Sequence, residues 1–462
     1  MKEVIKSLLA NPLIALMVLA TGLIYVAVFF HYVNKSKKNS EWFEKLVIGG
    51  FIFALTDVSI LPFDKLTPKI LADRKVGMMT VFLQLAIYGV VLFLSWSRFR
   101  STLRNIGDVF AVLLATAPFL SILCLMIGFS AFWSNDFVHT LKNSLVYLET
   151  AIAAVYIGKQ YSWPQLYGFM RWVNLAVLLP SIYYANVVPS VGINSKTGAW
   201  QGIMKHKNIF AFAMSFTMVM WLIYGIYNPK YRKQSFVIAL LSLYAMDGGE
   251  SGASKVLFVC MMFLTLYLNF VKKLSPKWAF TSIVLFLIVS TSIMIVVVEN
   301  LEYIVVDTLN KDLTLTGRTL FWPLVIDAIN EKPILGYGVG GYWQSWKSTA
   351  ENPAGNVINP NGWIPPHSHN GFLDIATDLG WLGMTLYIFA FVNTLAKAVS
   401  YLSKDKMPEA GIPIIVLTFT LLTNLTETGL LGVNPTWFWF VVTITRLSLD
   451  MTKNVQKKNN SY

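Results

Sequence analysis

The sequence predicts an all-α, polytopic membrane bundle, and three observations carry that prediction. Of 462 residues, 55% are apolar and only 13% are charged, with a mean hydropathy of +0.56. A soluble domain carries about 25% charged residues, so there is too little polar surface here to clothe the apolar mass in water. Apolar runs such as 13–30, 110–129, 209–227 and 279–298 each approach the ~20 residues that a helix needs to cross ~30 Å of hydrocarbon. The Lys and Arg behind the formal charge of +13 sit in short clusters between those runs, which marks cytoplasmic links and not a nucleic-acid surface.

Taken in order, thirteen candidate spans are read at 13–31, 46–62, 77–95, 108–129, 141–158, 165–187, 209–228, 235–247, 254–271, 279–298, 371–396, 411–428 and 434–449. The first run lacks a small-residue cleavage site and is expected to stay as an anchor. The links holding Arg98, Arg100 and Arg104, then Lys230, Arg232 and Lys233, then Lys272, Lys273 and Lys277, then Lys397, Lys404 and Lys406 are separated by even numbers of spans. All four are assigned inside. The stretches 133–139, 186–208, 247–255 and 299–370 then lie outside, and the tail 450–462 inside. At the front, the links 35–38 and 65–75 are both basic. One of them must break the rule, or 46–62 with Asp57 does not fully cross, so the expected count is twelve to thirteen.

The expected organisation is an N-terminal transmembrane bundle at 1–298, a large extracytoplasmic loop at 299–370, C-terminal spans at 371–449 and a cytoplasmic tail at 450–462. Loops of that size carry function. Leu320, Phe321, Leu324, Val325 and Ala328 recur at helical spacing in 318–330, so the loop is expected to be folded and packed on the membrane face. Pro333, Gly336, Gly338, Gly340, Gly341, Pro353, Pro360, Pro365 and Pro366 punctuate the rest. Cys124 and Cys260 lie inside apolar runs, which supports neither a disulfide nor a thiolate metal site.

Three pieces of the loop follow one another ahead of a span: Thr316-Gly317-Arg318-Thr319-Leu320-Phe321-Trp322, Pro333 to Gly340, and His367-Ser368-His369-Asn370. Nine residues after Asn370 comes Gly380-Trp381-Leu382-Gly383. This arrangement resembles the O-antigen ligase and polysaccharide polymerase superfamily. Gly198-Ala199-Trp200-Gln201-Gly202 with His206-Lys207-Asn208, and Phe132-Trp133-Ser134, look like its exopolysaccharide-polymerase branch. Ser254-Lys255-Val256 departs from the family's Ser-Arg or Ser-Lys followed by Thr. The resemblance runs from about residue 130 to about 430.

It implies a fold of the type seen in lipid-linked sugar transferases (GT-C-like) and transfer of a glycan from undecaprenyl diphosphate to an acceptor hydroxyl, without nucleotide, cofactor or metal. A polysaccharide polymerase is the favoured reading. The alternative is a ligase that moves O-antigen onto a lipid A-core acceptor. Implied partners are the carrier-linked glycan donor, a glycan or lipid-core acceptor, membrane lipid and a polysaccharide assembly complex, with no nucleic acid. The implied location is a bacterial inner membrane with the active site on its outer face.

The residues are compatible with that chemistry. A diphosphate leaving group gains negative charge as the glycosidic bond breaks, and a guanidinium grips two of its oxygens. Arg318 is the one arginine assigned outside beyond residue 105, since Arg171, Arg232 and Arg446 map to cytoplasmic ends. Lys255 is the second candidate cation, and His206, Lys207, Asn208 and Trp322 are candidate lining residues. An imidazole of ordinary pKa is neutral outside the cell and can take the acceptor's proton. His369 is the candidate base, with His367 beside it. Asn370 is placed to cap the eleventh span, and Asp374, one turn deeper, to orient His369 or the acceptor or to pair with another span. Gly380 and Gly383, three apart on one helical face, are expected to be packing residues.

Other motif readings fail on context. Gly336, Gly338 and Gly340 have no preceding strand and no following helix with Lys-Ser or Lys-Thr, which excludes a phosphate-binding loop. Five histidines without ligand spacing argue against a metal centre. A transporter is the rival class, because Asp57, Glu149, Arg171, Asp247, Glu250 and Glu427 lie in or near apolar spans. Transporter sites usually sit midway between repeated halves, whereas here the motifs cluster outside. A non-enzymatic carrier-lipid subunit is the second rival.

Overall fold

The computed structural model describes residues 12–58, 100, 104, 106–309, 318–357, 364–405 and 407–459, and among them every regular element is helical. The chain divides into two compact units, 1–51 with 76–107, and 52–75 with 108–462. In the first, α1 (Pro12–Asn34) and the start of α2 (Lys37–Leu55) are joined by a tight turn. Phe29 meets Phe43 edge to face at 5.4 Å, beside buried Val33. The expected span 77–95 lies outside the described residues.

The second unit carries everything else. Its helices are α3 (Ile106–Thr116), α4 (Pro118–Phe129), α5 (Phe137–Gln160), α6 (Trp163–Val187), α7 (Lys207–Tyr227), α8 (Arg232–Gly248), α9 (Gly252–Val271), α10 (Pro276–Leu309), α11 (Arg318–Glu331), α12 (Gly371–Lys404), α13 (Ile412–Thr423) and α14 (Pro435–Asn459). Their starts are written in the sequence. Asp136 accepts from the backbone N–H of His139 to cap α5, Ser162 and Gln165 form a capping box on α6, and Ser251 caps α9.

Among the described residues, four helices are long and apolar enough to cross a membrane: α7, α9, the first two-thirds of α10, and α12. A fifth arises if α3 and the helix after it count as one bent span. The other expected spans among the described residues fall on helices that are shorter, such as α13 with 12 residues, or less apolar along their length, such as α5 and α6. Burial shows what those helices are for. Nearly every residue of α14 from Trp437 to Ser448 is buried, so it is a central pillar. By contrast α10 leaves Leu285, Ile288, Ile293 and Val296 exposed, a face that hydrocarbon would cover.

Three features differ from the linear reading. Span 108–129 is bent by 109° where Pro118 removes a helical N–H. The carbonyl of Thr116 freed there accepts from Asn393 at 3.0 Å and Lys397 at 2.6 Å. The loop expected to begin at 299 starts as a continuation of α10 to Leu309. And α12 is not continuous: Gly380 adopts φ 65°, ψ −173°, which splits it into two helices. Gly380 is therefore a conformational break and not only a packing residue. A Cβ there would stand 2.3 Å from the Ile334 carbonyl oxygen.

The break is what docks the loop. Ending the helix at 380 leaves carbonyls without their i+4 donors, and the backbone N–H groups of Tyr337 and Gly338 donate to Thr377 and Asp378, each at 2.8 Å. Trp381 in turn donates to Pro333 at 2.7 Å. Behind this seam Phe321, Val325, Ala328, Ile329, Tyr337 and Tyr342 form one buried cluster with Ala376 of α12. The expected amphipathic stretch is thus a helix, α11, with its apolar face on α12.

Candidate active site

Four pieces of chain converge on one end of the second unit: the loop 364–370, the first turn of α12, the turn 424–434 after α13, and the first turn of α7. Asn370 fixes the first two. Its side-chain oxygen accepts from Phe372 and Leu373, which caps α12. Gly371 donates to the carbonyls of Asn424 and Glu427, at 2.9 and 3.1 Å, and so ties the helix start to the turn. A side chain at 371 would collide with Asn424 at 2.4 Å.

His369 precedes the cap with φ 54°, a left-handed conformation unusual for a histidine. It is held by a local lattice in which Ser368 donates its hydroxyl to the Asn370 carbonyl at 2.7 Å, while Trp322 of α11 donates its indole N–H to the Ser368 carbonyl at 2.9 Å. Strain of this kind persists only where surroundings over-determine it, and it concentrates at working sites. The result points the His369 ring at Glu427, with Nδ1 3.4 Å from Oε2, both side chains mostly buried. The other oxygen, Oε1, accepts from Asn208 at the start of α7 at 2.8 Å.

His367 stacks edge to face on His369 with ring centroids 4.2 Å apart. Its Nδ1 lies 3.2 Å from the Thr428 hydroxyl, which donates to Asp374 Oδ2. Asp374 Oδ1 accepts from the Ser368 N–H at 3.0 Å and the Trp343 indole at 2.9 Å. Burial pushes the His367 pKa down to about 4, helped by the neighbouring His369 and opposed by Asp374 and Glu427. His367 is therefore a neutral imidazole at physiological pH.

The structure thus brings together six of the ten residues singled out from the sequence: His367, His369, Asn370, Asp374, Asn208 and Trp322. His206, the residue before α7, is close enough to influence the His367 charge. Lys207 follows it, half-buried. Lys255 stands apart, exposed and paired with Asp247 at 2.6 Å, over a different groove lined by Cys260, Phe263, Tyr267 and Phe286. Arg318 opens α11 one turn before Trp322, while its side chain, like Thr316 and Gly317, lies outside what is described. Arg171, packed on Tyr167, Trp221 and Tyr224, and Arg446, paired with Asp450, are engaged elsewhere.

Two expectations change. Asp374 was one of the groups expected to orient His369, yet it reaches His367 through Thr428, and the carboxylate at His369 is Glu427. Sequence reading noted Glu427 only as a charge near a span, in favour of a transporter. Nothing in the chain's order marks a residue 58 positions away as a partner. An ionisable group at a membrane helix end was the one available signal.

The turn 424–434 also closes a cavity of about 120 Å³. Glu427, Thr428 and Asn434 are among its polar lining residues, and Phe212, Phe216, Phe419 and Trp439 among its apolar ones. The arrangement joins two imidazoles, a carboxylate and an apolar recess, groups that can handle a proton beside an apolar surface.

Residues 235–388, which span α8 to the middle of α12 and include His369, match the family described as O-antigen ligase. The exopolysaccharide production protein ExoQ of Rhizobium meliloti (strain 1021) is 26% identical over 345 residues, 71% of this chain and 74% of that protein. A protein of Rickettsia conorii named as a candidate polysaccharide ligase is 27% identical over 126 residues, 27% of this chain and 28% of its own length. A similarly named Rickettsia bellii protein is 21% identical over 228 residues, covering 48% and 52% of the two chains.

Proposed function

We propose that this chain, which belongs to the O-antigen ligase and polysaccharide polymerase superfamily, is a polymerase that moves a glycan from a polyprenyl diphosphate carrier to a sugar hydroxyl. The observation that carries the proposal is the His369–Glu427 pair, held by Asn208 and the Asn370 cap, with Glu427 lining a largely apolar cavity. In this reading the acceptor hydroxyl attacks the anomeric carbon, its proton passes to His369, and Glu427 stabilises the imidazolium that forms. The bond from the anomeric carbon to the phosphate oxygen breaks with its electron pair going to the diphosphate. Arg318 neutralises that charge, and a single displacement inverts the anomeric centre.

The match to an exopolysaccharide production protein covers more of the chain than the matches to proteins named for ligation, which supports a role in exopolysaccharide production, and polymerisation is the proposed form of that role. The reading places the catalytic end at the extracytoplasmic face of a bacterial inner membrane, with 299–370 as the domain that closes the site. His206 and Lys207, at the start of α7, are proposed to attract the anionic donor from the rim.

Replacement of His369 by Gln keeps hydrogen bonding but removes a proton acceptor. Purified His369→Gln protein in lipid vesicles, given carrier-linked repeat units, should lengthen glycan about 100-fold more slowly than wild type or worse. Chain extension at the wild-type rate would remove the base assignment. Retained binding of the carrier with lost transfer separates an enzyme from a carrier-binding subunit.

A further inference from the structure

We propose that His367 holds the acceptor sugar by donating its Nε2–H to the hydroxyl beside the attacking one, so that this chain extends acceptors that carry two neighbouring free hydroxyls. This role rests on the transferase reading above, with His369 as the base. The His369 backbone N–H donates to His367 Nδ1 at 3.2 Å. A backbone N–H can only donate, so Nδ1 supplies the lone pair. The Thr428 hydroxyl, also 3.2 Å from Nδ1, gives its own proton to Asp374. An imidazole kept neutral by burial therefore carries its proton on Nε2, at the other edge of the ring. Nε2 is a fixed donor, and among the described residues nothing accepts from it. A half-buried N–H of this kind gains most from a partner that arrives with the substrate.

The donor and the base stand on the same side of the reaction. Their ring centroids are 4.2 Å apart, and one nitrogen of each ring and one Glu427 oxygen all lie within 4.8 Å of one another. In a single displacement the diphosphate departs on the far side of the anomeric carbon from the attacking hydroxyl. A group beside the base therefore faces the acceptor. On the attacking oxygen itself, a donated hydrogen bond would tie up a lone pair and weaken the nucleophile. On the next hydroxyl it orients the sugar and leaves the nucleophile intact. Neighbouring hydroxyl oxygens of a pyranose stand about one hydrogen-bond length apart, a spacing that two adjacent imidazoles can bracket.

The pair is organised before any sugar arrives. Between the two histidines, Ser368 places its N–H on Asp374 and its carbonyl on the Trp322 indole. The left-handed turn at His369 then brings its ring to Glu427 and its N–H to His367.

Two amides separate the edges of the His367 ring. His367→Gln restores an N–H near the Nε2 position, whereas His367→Asn keeps an acceptor near Nδ1 and deletes the Nε2 donor. Purified chains in vesicles receive carrier-linked repeat units, and NMR reads the linkages of the polymer made. His367→Asn should cut kcat/KM about 10- to 100-fold, mostly as a rise in KM, because the hydroxyl is held in the ground state as well as in the transition state. His367→Gln should stay within about 5-fold of wild type. In the polymer, the extended sugar should carry a free hydroxyl next to the new linkage. The reverse order, with His367→Asn active and His367→Gln inactive, would make His367 a support for the His369 backbone and overturn the contact. Equal rates in the two variants, fast or slow, would overturn it too. A loss confined to kcat would put the N–H on the leaving diphosphate, against the proposal. A linkage flanked on both sides by deoxy or substituted carbons would refute it even where a variant fails to fold. A His369→Gln chain that extends glycan normally refutes the base reading separately, while the order of the two His367 variants still reads the hydroxyl contact.

Discussion

Replacing Glu427 by Gln tests the catalytic reading at a residue that sequence reasoning passed over. The change preserves shape and an oxygen for Asn208 while deleting the charge beside His369. Two unit charges 3.4 Å apart attract by about 5 kcal/mol at an effective dielectric of ~20, and by about 1 kcal/mol in water. The pair is 24% and 14% exposed on its two side chains, so the effective value lies between these limits. The imidazole carries only part of its charge at the transition state, and about 2 kcal/mol of differential stabilisation remains, roughly 30-fold in rate. The measurement is single-turnover transfer from carrier-linked glycan by the purified chain in vesicles, with kcat and KM separated. The loss should fall on kcat. It should also vanish in a His369→Gln background, since a carboxylate that acts through an imidazole has nothing to act on once the imidazole is gone. An unchanged kcat, or a 30-fold loss that persists in the double variant, would refute the dyad.

Arg318→Lys keeps charge but loses the two-pronged geometry suited to a diphosphate, and transfer should drop about 10- to 1000-fold; a normal rate in both this variant and Arg318→Ala would place the diphosphate elsewhere. Gly380→Ala forces a side chain into φ 65° and against the Ile334 carbonyl. Undocking of the 333–338 seam should follow, with a loss of about 3 kcal/mol or more read as a lower melting temperature and faster proteolysis within 331–357. Because burial holds the His367 pKa near 4, below its ordinary value, the unfolded chain binds a proton there between about pH 6.5 and 4 that the folded chain does not. The contribution is therefore present above pH 6.5 and is lost as pH falls through that window, and His367→Gln should melt with a shallower acid dependence than wild type.

Much of the fold was legible because a membrane-type helix states itself locally. Apolar length identified α7, α9 and α10, the cap at Asn370 marked a helix start, and the 3.6-residue recurrence of Phe321, Val325 and Ala328 announced α11. Composition alone excluded an ordinary soluble fold. The loop motifs drew attention to His367, His369 and Asn370, which the chain holds within four consecutive positions.

Length and hydropathy do not say whether an apolar helix meets lipid or other helices, since both environments accept the same side chains. That is why only packing shows that α14, read as one more span, is buried from Trp437 to Ser448. Nor does local sequence say where a helix breaks under tertiary demand. At 380 the glycine permits the left-handed turn, but only the carbonyls and N–H groups of 333–338 make the break worthwhile. The site itself is non-local in the same sense. His369 finds Glu427 because Asn370 and Gly371 lock the start of α12 onto the turn after α13, and Asn208 arrives from a third helix. Hydrogen bonds between groups 58 and 219 residues apart leave no periodicity in the chain, and it is packing that decides them.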